Sequence, residues 1–139
     1  MEITAYWEGG YRSRVPVRDF EIVVDEPSQY GGTDKGPMPT ELFLSALASC
    51  FEMAVYHAFR KREVELPDLA VRAEAHYDGL RFARIRLEVL SSHPQEEIEK
   101  ILEQAISYCY VSNTLLKQPT MEFAVGDFSI IRRPAAPPA

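Results

Sequence analysis

Cys50 and Cys109 are the only thiols in this 139-residue chain, and each sits on or beside an apolar helical face. In "MPTELFLSALASC", the neighbours of Cys50 at helical spacing are Phe43, Leu47, Ala54 and His57. Free cysteine packs like a small hydrophobe and is among the most buried residue types, so core filling is one reading of either thiol. The other reading is a nucleophile, which requires the thiolate. A helix starting at Pro39 puts Cys50 about 16 Å along its axis, beyond the first turn where the helix dipole acts. Activation then has to come from a cation on another element. The candidates are Arg12, Arg14 and Arg18 in the N-terminal region, and Lys35 in the loop before the helix. Arginine suits the task better, because its planar fork can hold a thiolate and a carboxylate together. Glu41 is the nearest carboxylate upstream, placed either to orient such an arginine or to complement the positive end of the helix.

Other chemistries lack their residues. His57 shares the Cys50 face, but no C-x-x-C or H-x-x-x-H pair is present to build a zinc site, and no metal is expected. His76 alternates with the apolar positions of its strand and should be solvated. Glycine-rich phosphate loops, the G-x-S-x-G elbow and H-E-x-x-H are all missing. A net charge of -6 argues against tracking nucleic-acid phosphates. No apolar run approaches the roughly 20 residues that span a bilayer, so no membrane partner is expected. "MEITAYWEGG" lacks a basic-then-apolar leader, and a cytoplasmic location follows by default. In that compartment two cysteines pair transiently rather than as a permanent staple.

The elements that must position these residues read as an α+β chain. Strands are expected within residues 2–25, turning at Gly9-Gly10. "PSQYGGTDKGPMP" is a loop, and a helix runs from Pro39 to about Arg62. A hairpin follows, with Asp78-Gly79 at the turn and Ile85, Leu87 and Val89 alternating with Arg84, Arg86 and Glu88. Ser92 and Gln95 have capping-box spacing, with Pro94 in the first turn of a second helix. Ile98, Ile101, Leu102, Ala105 and Cys109 share one face of that helix. "TMEFAVGDFSIIRR" is expected to be a closing strand. One domain over residues 1–132 and a disordered Pro/Ala tail over 133–139 complete the organisation.

The stretches "WEGGYR", "VVDEP", "GGTDKGPMPTELFLSALASC" and "YCYVSNTL", in this order, resemble the OsmC/Ohr superfamily of osmotically inducible and organic-hydroperoxide-resistance proteins. The resemblance spans roughly residues 2–131. It implies an intertwined homodimer with antiparallel sheets wrapped around two central helices. It also implies thiol-dependent peroxidase chemistry without haem, flavin, metal or other cofactor. Carried onto this chain, Cys50 matches the peroxidatic cysteine, Cys109 the resolving one, Glu41 the upstream acid and Arg12 the N-terminal arginine. Three details depart from the pattern. Thr40 stands ten residues before Cys50, where the hydroperoxide branch has its glutamate, and Glu41 stands nine before. In the loop that supplies arginine in other members, this chain has only Lys35. Tyr110 replaces the proline that commonly follows the resolving cysteine.

The activity so implied is reduction of an organic hydroperoxide, or of hydrogen peroxide, with an external dithiol as reductant. Apolar neighbours such as Phe43 and Leu47 would favour the organic substrate. Two other readings stand beside it. One is a small-molecule-binding or redox-sensing module of the same fold with little turnover. The other is a structural dimer with two buried thiols.

Overall fold

In the computed structural model, which describes residues 1–130, the chain falls into two compact units. One is Met1–Pro39 with the stretch from Thr120 onward, and the other is Thr40–Pro119. Among the described residues they contain two antiparallel sheets and three α-helices, the α+β class expected.

In the first unit, β1 (Tyr6–Trp7), β2 (Ser13–Val17) and β3 (Phe20–Val24) form a sheet in the order β1-β2-β3. Gly9 and Gly10 turn the chain between β1 and β2 at φ 103° and 55°, a region that side chains with a Cβ rarely enter. Strand β3 runs into Asp25, only 1% exposed. Its carboxylate accepts the Thr33 hydroxyl and the backbone N–H groups of Glu26 (2.8 Å), Thr33 (3.2 Å) and Lys35 (3.2 Å). These bonds, the Thr33 hydroxyl foremost, hold the Asp25 carboxyl below its usual range against the opposing effect of burial. The loop therefore folds back tightly on the end of β3. At Gly32 an added Cβ would lie 1.8 Å from the Glu26 carbonyl oxygen, and at Gly36 2.2 Å from that of Val23. Only glycine lets the backbone approach so closely.

The closing strand expected from Thr120 does not form in the described residues. Met121, Phe123 and Val125 are exposed, and Phe128–Ile130 is a single 3-10 turn. A strand needs an edge to pair with, and among the described residues neither sheet pairs with this stretch. Its end at residues 131–133, and the tail at 133–139, lie outside the described residues.

The second unit starts with α1 (Pro39–Lys61). Leu47, Phe51, Ala54, Val55, Ala58 and Phe59 recur every three or four residues and are buried. By length and composition this helix could cross a bilayer, contrary to the expectation of no such run, although that face packs into the core of its unit. β4 (Ala70–Asp78) and β5 (Arg81–Leu90) form the hairpin. Its turn lies one residue later than expected, since Asp78 pairs with Arg81 and Gly79, at φ 60°, opens the turn with Leu80. Val71, Leu87 and Val89 pack on the helical core.

Helix α2 (Gln95–Tyr108) places Ile98, Ile101 and Ala105 in that core, as its apolar stripe predicts. The capping box is absent. Ser92 instead donates its N–H and its hydroxyl, each at 2.6 Å, to the Asp68 carboxylate. Pro94 stands at the N-cap and makes no side-chain cap. The helix also stops short of Cys109. That residue is extended (φ -83°, ψ 102°) and joins α2 to an unanticipated short helix, α3 (Tyr110–Leu116).

Candidate functional site

The break at Cys109 builds the site. A continuous helix would carry the Cys109 side chain onward along the α2 face. The extended residue instead lets α3 start afresh, with Cys109 as its N-cap. Cys109 is 0% exposed and belongs to the core shared by α1 and α2. Its sulfur accepts the Ser112 hydroxyl at 3.0 Å and the Ser112 N–H at 3.5 Å.

Cys50, half-buried in the middle of α1, meets this joint from the other side. Its thiol interacts with the Cys109 side chain and with the backbone N–H groups of Val111 and Tyr110. The structure thus brings the two free cysteines together. Burial pushes the Cys50 thiol above its ordinary value. The Val111 N–H acts against this, the Cys109 sulfur adds to the rise, and the Tyr110 N–H opposes it. The net result is a protonated thiol near neutral pH.

A cavity of about 540 Å³ opens beside Cys50, lined also by Met53, His57, Tyr108, Tyr110 and Asn113. His57 is exposed and meets the Tyr108 ring edge-on, 4.9 Å between centroids. The Tyr108 hydroxyl accepts from Gln104 Nε2 at 2.9 Å and Lys61 Nζ at 3.3 Å, and these bonds lower its pKa. Phe43 and Leu47 do not line the Cys50 cavity. Phe43 packs on Phe82, 6.0 Å between centroids, and Leu47 faces a separate apolar cavity of about 310 Å³ with Phe51, Ile85 and Leu102.

Glu41 lies exposed on the first turn of α1, where its carbonyl accepts the Ser45 hydroxyl at 2.7 Å. The candidate cations belong to the first unit. Arg12 Nε lies 3.4 Å from Glu8, and Arg14 pairs with Glu8 at 3.2 Å and Glu21 at 3.1 Å. The Arg18 guanidinium lies over the Phe20 ring at 5.3 Å. The Lys35 backbone N–H is bound by Asp25. His76 is exposed, as expected. Among the described residues no three His, Cys, Asp or Glu side chains are grouped to hold a metal ion.

Sequence reasoning missed Ser112 and Tyr108. The "YCYVSN" spacing contained both, but Ser112 acquires meaning only when the helix breaks at Cys109. Without the break, a serine three residues on is an ordinary helical neighbour.

Residues 32–124 match the family described as OsmC-like protein. Among curated proteins, none matches the chain. Several solved structures share its fold. An OsmC-like protein from Mycoplasma pneumoniae aligns with a TM-score of 0.72 at 21% identity, covering 84% of this chain and 87% of that one. An organic hydroperoxide resistance protein from Legionella pneumophila gives 0.61 at 24% identity, covering 83% and 89%. The organic hydroperoxide resistance protein OhrB of Bacillus subtilis gives 0.62 at 20% identity, covering 84% and 90%.

Proposed function

The chain belongs to the OsmC-like protein family, and on that premise we propose that it is a thiol-dependent peroxidase that reduces organic hydroperoxides. The side-chain interaction of Cys50 with Cys109, beside an open cavity, supports this reading. Cys50 thiolate attacks the terminal peroxide oxygen, the O–O bond breaks, and the alkoxide leaves as an alcohol once protonated. The Cys50 sulfenic acid then condenses with Cys109, releasing water and forming a disulfide. An external dithiol returns both cysteines to thiols and leaves oxidised. No cofactor takes part. Hydrogen peroxide is a second substrate on the same chemistry.

The thiolate needs a cation, since burial works against it. Arg12 is the proposed source, with Glu41 orienting it. Residues 1–132 act in this reading as one OsmC-like domain of a cytoplasmic homodimer. The exposed apolar side chains of Met53, Tyr56, Phe123 and Val125 support a second copy, because a monomer rarely leaves so much apolar surface to water. The unpaired Thr120 stretch would find its sheet edge there. The test is consumption of cumene hydroperoxide with dithiothreitol, comparing the wild type with Cys50→Ser. The proposal expects turnover only in the wild type, and full turnover in the variant contradicts it.

One observation favours a second reading, a ligand-binding or redox-sensing module with little turnover. It is the raised pKa of Cys50, which leaves little thiolate at neutral pH. That reading expects slow, stoichiometric oxidation, and rapid turnover excludes it.

A further inference from the structure

The two sulfurs of the pair have different surroundings. Cys50 lines the 540 Å³ cavity and is half-buried, whereas Cys109 is 0% exposed and does not line it. Among the described residues, Cys109 alone of the two has a side-chain hydroxyl directed at it, Ser112 Oγ at 3.0 Å. The backbone N–H of the same residue follows at 3.5 Å. In thiol–disulfide exchange an entering thiolate attacks along the accessible side of one sulfur, and the other sulfur departs with the bonding pair. The rate increases as the leaving thiol becomes a better acid. Hydrogen bonds to an ionised sulfur stabilise that departing form, and charge-assisted bonds are roughly twice as strong as neutral ones.

We propose that reduction of the Cys50–Cys109 disulfide has a fixed direction. The reductant attacks Cys50 from the cavity, and Cys109 leaves as a thiolate held by the Ser112 hydroxyl, a catalytic hydrogen-bond donor. One thiolate of an external dithiol forms a bond to Cys50 Sγ while the bond between Cys50 and Cys109 breaks, its electron pair passing to Cys109 Sγ. The second thiolate of the dithiol then attacks its own sulfur in the mixed disulfide and releases Cys50. Two electrons pass from the dithiol to the pair, the dithiol leaves as a disulfide, and solvent protonates the cysteines. This inference rests on the cysteine-pair reading above but concerns only its reductive half.

Diamide, which joins neighbouring thiols without any peroxide, prepares the oxidised protein. Its reduction by dithiothreitol is followed by stopped flow in the wild type, Ser112→Ala and Ser112→Thr. The alanine variant keeps the backbone N–H and removes only the hydroxyl, so reduction should slow about tenfold, the low end for a hydrogen bond to a charged group. Ser112→Thr should restore the wild-type rate. A monothiol such as cysteamine, added to the oxidised wild type and mapped by peptide mass, should be found on Cys50. Reduction of Ser112→Ala at the wild-type rate, cysteamine on Cys109, or no disulfide after diamide each overturns the inference. If hydroperoxide leaves the thiols intact while the diamide disulfide still depends on Ser112, the peroxidase reading fails and the inference stands.

Discussion

Cys50 and Cys109 interact through their side chains, although one projects from the middle of α1 and the other from the extended residue that separates α2 from α3. The pair owes its contact to two different features of the chain. The periodic apolar face of α1 packs Cys50 against the core, and Cys109 lies buried in that same core as the extended residue that ends α2.

Replacing Cys109 with serine should separate the two oxidative steps. Cys50 would still consume one equivalent of cumene hydroperoxide, but its sulfenic acid would persist and be trapped by dimedone. Steady-state turnover with dithiothreitol should fall sharply. The trapped adduct, located by peptide mass on Cys50, checks the assignment, and an unmodified Cys50 refutes it.

The raised Cys50 pKa makes a pH prediction. Burial favours the neutral thiol, so the thiolate becomes populated only above the ordinary thiol range, and reactivity rises with pH. Alkylation of Cys50 by iodoacetamide in the wild type should therefore follow a midpoint above that of a free cysteine. Arg12→Ala, which removes the proposed cation, should raise that midpoint further. Identical profiles in the two proteins would exclude Arg12 as the activating group.

Asp25 gathers four hydrogen bonds that order the loop between β3 and α1. Its carboxyl is held below the usual range, so the stabilisation it gives is present above the unfolded carboxylate pKa and is lost as pH falls through the folded value. Limited proteolysis of residues 26–38 should therefore accelerate in acid, and Asp25→Asn should show the fast cleavage already at pH 7. Cleavage of the variant at the wild-type rate would show that the carboxylate does not hold the loop.

Much of this was legible in the sequence because it depends on local period and punctuation. The α2 stripe, the alternation of β5 and the turn at Gly9-Gly10 need only neighbours along the chain, whereas on α1 Leu47 and Ala54 are buried as expected and Phe43 and His57 are exposed. What escaped depends on distant partners. Ser92 matches a capping box in sequence, but the Asp68 carboxylate takes both of its donors. Met121, Phe123 and Val125 alternate as a strand does, yet strand formation also needs a sheet edge. Apolar periodicity continued from Ile98 to Cys109 and gave no sign that the helix ends one residue earlier. Phe43 and Leu47 sit at helical spacing from Cys50, yet they face Phe82 and the smaller cavity.

Core packing offers a prediction independent of the chemistry. Ile101 is 1% exposed within the cluster that includes Cys109. Ile101→Ala should lower stability by about 2–5 kcal/mol, the usual range for such a truncation. Denaturant unfolding measures it, and a loss below about 1 kcal/mol would mean that the site collapses to fill the space.

The central claim is that the two sulfurs form a redox pair driven by hydroperoxide. Intact mass after one equivalent of cumene hydroperoxide tests it most directly. The account predicts loss of two hydrogens per chain, no intermolecular crosslink, and recovery of the starting mass with dithiothreitol. An unchanged mass, with both thiols still free to alkylate after unfolding, would contradict it.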